Sequence, residues 1–102
     1  MEKIVCAAIW YKDIVPKSFD GTPIPSIVEN GVVVSGMRHG DCIYTLIALT
    51  GMASTRPSIG SYVQGFITTN NRFVDRVEAA SIAFDAKQIQ SPTSVLFSED
   101  LY

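Results

Sequence analysis

The sequence predicts an α+β domain in which a small antiparallel β-sheet carries two main helices and a short C-terminal helical turn. Three observations lead there. Runs of β-branched, aromatic and other apolar residues occur at strand length over 3–11, 32–34, 62–69 and 72–74. Two stretches, 41–50 and 75–87, space their apolar residues three and four apart behind an acidic capping residue. With 102 residues there is room for one core, so 1–102 reads as a single domain.

The first strand is Lys3–Tyr11, where Val5, Ala7 and Ile9 alternate with Ile4, Cys6 and Ala8 before Trp10-Tyr11. Apolar residues on both sides of the pleat imply a strand covered on both faces, or one whose edge meets a partner chain. Residues 12–30 hold Pro16, Pro23, Pro25 and the Asp20-Gly21 turn and read as a surface excursion. Ile24 and Ile27-Val28 predict that this excursion docks on something apolar. Asn30-Gly31 turns into the strand Val32-Val33-Val34. A short Arg38-His39-Gly40 loop then leads to a helix over 41–50, with Asp41 as N-cap and Gly51 at C′.

Residues 52–61, with Pro57 and Gly60, form a connector. The strand at 62–69 puts Val63, Gly65 and Ile67 on one face and Tyr62, Gln64, Phe66 and Thr68 on the other. Asn70-Asn71 turns into the short return strand 72–74. Asp75 and Glu78 have capping-box spacing and open a helix to about Lys87, with Ala79, Ile82, Ala83 and Ala86 as its stripe. Val77 and Phe84 fall on the opposite side, which points either to a subunit contact or to cover by other parts of the chain. After a link containing Pro92, Ser98 caps the closing turn.

The formal charge of −2 argues against a protein whose main work is neutralising a long nucleic acid. No run of 18 apolar residues exists to span a membrane, and Met1-Glu2-Lys3-Ile4-Val5-Cys6 lacks the apolar region of a secretory leader, so an intracellular domain is expected. Cys6 and Cys42 sit in apolar runs and read as buried reduced thiols. Together with the single histidine, His39, they are too few for a four-ligand zinc site. There is no P-loop and no GxGxxG segment, and any imidazole-based hydrolase would have to use His39. The expectation is a non-enzyme with no cofactor and no metal.

All four arginines, Arg38, Arg56, Arg72 and Arg76, lie between 38 and 76, so residues 31–76 carry +2 and the rest −4. The guanidinium fork matches phosphate bidentately, so this cluster reads as a site for a small anion, or else as four solvated charges with no shared target. Tyr62 and Phe66 beside Gln64 and Thr68 offer a platform that could stack a base and read its edge, or simply core aromatics. His39, beside Arg38 where the helix begins, could meet an anion or could cap and pack.

The run Gln64-Gly65-Phe66-Ile67-Thr68-Thr69-Asn70-Asn71-Arg72-Phe73-Val74-Asp75-Arg76-Val77-Glu78-Ala79-Ala80 resembles the core of a phage-encoded family. So do Ile82-Ala83, Gln88-Ile89, Arg38-His39-Gly40-Asp41-Cys42-Ile43 and the ending Leu96-Phe97-Ser98-Glu99-Asp100-Leu101-Tyr102. The pattern is similar to small uncharacterised phage proteins and to the type-one Thoeris anti-defence proteins. That resemblance implies a sponge in the cytoplasm of the infected bacterial host. Such proteins bind glycocyclic ADP-ribose, the messenger made by bacterial TIR-domain sensors, and hold it without cleaving it, which keeps the NADase effector inactive.

The resemblance further implies an antiparallel sheet followed by helices, and assembly as a homo-oligomer, a dimer or a hexamer. Its ligand pockets lie near subunit contacts, and some members hold cyclic trinucleotides at a separate site, so cyclic di- or trinucleotides are a second ligand class. Carried over by motif, Phe66 would stack on adenine, Arg38 and Arg76 would meet the phosphates, and Thr68, Asn71 and Asp75 would bond ribose hydroxyls or the base edge. His39 joins this set from its place beside Arg38. Two other readings compete: an inhibitor docking on a host protein through Val77, Phe84 and the 12–30 segment, and an enzyme that degrades a nucleotide messenger with His39 as general base.

Overall fold

The structure, a computed structural model, describes residues 1–14, 27–51 and 61–101. Its elements are β1 (Ile4–Tyr11), β2 (Val32–Gly36), α1 (His39–Thr50), β3 (Tyr62–Thr68), β4 (Phe73–Asp75), α2 (Arg76–Asp85) and a 3₁₀ turn at Ser98–Asp100. All neighbouring strands are antiparallel, in the order β2-β1-β3-β4. This is the α+β class that the sequence predicts. The expected features at Pro16, Pro23, Pro25, Ile24, Arg56, Pro57 and Gly60 lie outside the described residues.

The wholly apolar run becomes a central strand because only a central strand has neighbours on both edges. Ala7 pairs with Phe66, Ile9 with Gln64 and Tyr11 with Tyr62, while Phe66 pairs with Val74. Paired residues share a face, so Ala7, Ile9, Tyr11, Phe66 and Val74 form the floor of the core. α1 packs over β2 and β1 and supplies Cys42 and Leu46; α2 packs over β3, β4 and β1. α2 contributes only alanines to the fully buried set, Ala79, Ala80 and Ala83, and Leu96 closes the core. In β1 the register passes from Ile4↔Thr68 to Cys6↔Ile67, a bulge that takes in Val5 as the additional residue.

Several local expectations are corrected. α1 starts at His39, two residues before the predicted boundary, with Arg38 as N-cap. Asp41 is the third helical residue, and its carboxylate turns back to accept from the Arg38 N–H at 3.1 Å, the reciprocal half of a capping box. The closing turn is capped at Phe97, whose N–H donates to Asp100 Oδ2 at 2.9 Å, and Ser98 is buried inside it. α2 ends at Asp85.

Other details agree with the sequence. Gly51 sits at the end of α1 at φ 71°, and its N–H reaches the Ile47 carbonyl at 2.7 Å. Asp75 caps α2 by accepting from the Glu78 N–H at 2.8 Å. Both cysteines are free thiols; Cys42 is buried as expected, whereas Cys6 is only half-buried. Val77 and Phe84 stand 63% and 41% exposed, so the other described residues do not cover them. Among the described residues no helix is long and apolar enough to cross a membrane.

Candidate functional site

β3 and β4 approach so closely at Gly65 that a Cβ there would run into the carbonyl oxygen of Val74 and the ring of Phe73. Glycine at this point lets the sheet close, and it leaves the Gly65 carbonyl beside the first residue of α1. His39 Nε2 lies 2.8 Å from that oxygen. A carbonyl only accepts, so Nε2 carries the proton and Nδ1 presents its lone pair. The ring edge packs against Phe66 at a centroid distance of 5.1 Å, and His39 as a whole is buried.

Burial holds the imidazole pKa below its usual 6.5. The Gly65 carbonyl opposes this, the Arg76 charge adds to it, and Glu99 opposes it. His39 is therefore a neutral ring with a defined tautomer.

Arg76, the first residue of α2, points back over β3. Its Nη2 donates to Gln64 Oε1 at 2.7 Å and lies 3.4 Å from His39 Nδ1. The guanidinium carbon sits 4.7 Å above the centre of the Phe97 ring, which is 44% exposed. Arg76 Nε is buried with no hydrogen-bond partner. No carboxylate among the described residues comes within ion-pair distance of this guanidinium.

Arg72 is the contrast. Its Nε and Nη2 donate to the two oxygens of Glu2, each at 2.9 Å, and Nη2 also reaches Glu78 at 2.9 Å. Hydrogen bonding from Arg72 to Glu2, followed by that from the Thr68 hydroxyl at 2.6 Å, draws the Glu2 carboxyl down to about 2. Arg72 and Thr68 thus tie the N-terminal residues to the β3–β4 turn.

The predicted site residues divide accordingly. His39, Phe66 and Arg76 come together, and Arg38 adjoins them in the chain, exposed at the start of α1. Phe66, expected to offer a stacking face, is wholly buried in the core. Thr68 is buried and bonded to Glu2, and Asp75 is committed to capping α2. Asn71 is exposed in the β3–β4 turn at φ 58°, its N–H donating to the Thr68 carbonyl at 3.0 Å. Gln64 and Phe97 join the cluster although neither is among the contacts carried over by motif. Gln64 was visible as the polar neighbour of Phe66 on one strand face, and Phe97 lies within the C-terminal motif.

What remains is a half-buried guanidinium whose charge no carboxylate among the described residues offsets, backed by a neutral imidazole, an amide and an aromatic ring. Chemically this arrangement suits an anion carrying a flat apolar group. A separate cavity of about 370 Å³, lined by Gln88, Ile89, Gln90, Ser91, Thr93 and Asp100, has an acid as its one charged group and suits an anion poorly.

No curated protein and no solved structure matches this chain. Residues 3–102 match the profile of a family described as phage T4 y16D protein. With nearly the whole chain covered, from β1 through the closing turn, the protein belongs to the phage T4 y16D protein family.

Proposed function

We propose that this phage-family protein is a sponge that binds a cyclic nucleotide messenger, glycocyclic ADP-ribose first of all, and holds it uncleaved in the infected bacterium. Sequestration would keep the signal from the effector of Thoeris immunity. The observation that carries this reading is Arg76, a semi-buried guanidinium over an exposed phenylalanine with no acid among the described residues to neutralise it. A phosphate would take the place of the missing counter-ion, and Phe97, rather than the buried Phe66, would supply the aromatic surface. Arg38, Asn71 and Asp75 are the other predicted contacts that stand exposed, Asp75 with its carboxylate already capping α2.

His39 favours binding over turnover. Its Nε2–H is given to Gly65 and its Nδ1 faces a cation, so it is poorly placed to take a proton from a nucleophile. Two or three charge-assisted bonds at roughly 1.5–3 kcal/mol each, with stacking at roughly 1–3 kcal/mol, approach the roughly 12 kcal/mol of a nanomolar complex. Little can be lost to ordering, and a side chain already held by Gln64 and Phe97 meets that condition.

Titration calorimetry with glycocyclic ADP-ribose, then with cyclic di- and trinucleotides, tests the reading, followed by heating the complex and identifying what is released. Tight binding with intact ligand is the expected result. Arg76→Ala should weaken it by at least about tenfold, the equivalent of roughly 1.4 kcal/mol. A cleaved product would make the protein an enzyme, and no binding would end the proposal. A second reading, an inhibitor of a host protein, draws on the exposed Val77 and Phe84 of α2. Capture of one defined host protein without nucleotide, lost in Phe84→Glu, would favour it.

A further inference from the structure

Arg76 is held from several sides by its own chain. Its backbone carbonyl accepts from the Leu96 N–H at 3.0 Å, and its guanidinium carbon lies 4.7 Å over the Phe97 ring. In the plane of the guanidinium, one nitrogen takes both side-chain bonds. Nη2 donates to Gln64 Oε1 at 2.7 Å and lies 3.4 Å from His39 Nδ1. Among the described residues no hydrogen-bond partner meets Nη1. A single in-plane bond leaves a guanidinium free to pivot, whereas two fix where its open nitrogen points.

The second of those bonds depends on which imidazole nitrogen carries the proton. His39 Nε2 donates to the Gly65 carbonyl at 2.8 Å, which leaves Nδ1 as the acceptor toward Arg76. A run of bonds thus leads from the backbone of β3 through the imidazole to the guanidinium. A neutral acceptor also steadies Arg76 without cancelling the charge that draws an anion. A carboxylate in the same place would do the first and undo the second.

We infer that His39 is the positioning residue of the Arg76 anion site, and that a proton on its Nδ1 releases Arg76 and weakens anion uptake in acid. An N–H would then face an N–H, and a cation a cation. The charged groups around the ring are Arg76 of α2 and Glu99 of the closing turn, with Arg38 and Asp41 beside it on α1. Asp75 of β4 is turned to the Glu78 N–H, and β3 brings only Gly65, Phe66 and Gln64. Burial first, then the Arg76 charge, outweigh the Gly65 carbonyl and Glu99, so protonation falls below the usual 6.5. For ligand uptake the inference rests on the anion-binding reading of Arg76; the hold of His39 on Arg76 stands without it.

Nuclear magnetic resonance on the full chain tests that hold without ligand, because His39 is the only histidine and its ring signals are unambiguous. Near neutral pH the proton should sit on Nε2. As pH falls, the buried Nε–H of Arg76 should shift along the same curve as the imidazole, with a midpoint below 6.5. Calorimetry with glycocyclic ADP-ribose should show affinity down about twofold at that midpoint, and up to roughly tenfold for each pH unit below it. His39→Leu should weaken binding at neutral pH by at least about tenfold. His39→Asn, whose amide oxygen can still accept from Arg76, should recover much of that loss and remove the acid dependence. The inference is overturned by a proton on Nδ1 at neutral pH, by an Arg76 signal blind to the imidazole, or by an acid dependence that survives His39→Asn. If the nucleotide binds at no pH, the sponge reading falls and the ligand-free spectra alone decide this one.

Discussion

Arg72 and Arg76 stand four residues apart and differ in what offsets their charge. Arg72 holds two carboxylates and fastens the chain's beginning to the β3–β4 turn, whereas Arg76 holds an amide, a ring and a neutral imidazole. Their acid responses differ in turn. Glu2 has its carboxyl lowered from 4.5 to about 2 by Arg72 and Thr68, so the folded state keeps it ionised where the unfolded chain would protonate it. Its stabilisation is present above 4.5 and is lost as pH falls from there towards 2. Glu2→Gln should therefore flatten the acid limb of a melting-temperature profile across that interval. His39, lowered by burial, acts earlier: its contribution is present above 6.5 and is lost as pH drops below that value, when the unfolded chain takes up the proton more readily. A profile unchanged by Glu2→Gln would mean that the Arg72 pair does not hold the N-terminus in solution.

Among the elements, β3 carries the most for its length. It pairs on both edges, floors the core with Phe66, supplies Gln64 to Arg76 and aims a carbonyl at His39. Gly65 is the position that allows this, and Gly65→Ala should destabilise the domain by roughly 1–3 kcal/mol, the usual range for overpacking, as measured by denaturant unfolding. Stability equal to wild type would show that β4 yields easily at this point. The alternation of β3 was legible in the sequence, including which residues share a face. Which face is buried was not: β1 is apolar on both sides, so Phe66 could equally have been drawn as an exposed platform. The start of α1 was hidden because Arg38-His39-Gly40 looks like a loop, and Asp41 caps by reaching back three residues instead of opening the helix. Phe97 was not legible as a partner of Arg76, because a contact between residues 21 apart in sequence leaves no periodic trace.

For the molecule as a whole, composition and element order were enough for the α+β class, and the motif resemblance pointed to a phage protein, which the family match bears out. The ligand chemistry depends on long-range neighbours, and those came only with the fold. One further property of the chain concerns its parity. A strand counts in twos, so adding or removing one residue exchanges the two faces of everything on one side of the change. The bulge stores a surplus count at Val5: Ile4 and Ala7, three apart, both reach the core because of it. Deleting Val5 would bring Ile4↔Thr68 and Cys6↔Ile67 into one unbroken ladder with every face preserved, whereas deleting Ala8 would turn either Ile4 and Ala7 or Ile9 and Tyr11 away from the core. The Val5 deletion should melt cooperatively and the Ala8 deletion should not. The first strand thus has a single place where its length can change by one without the rest of the protein registering the difference.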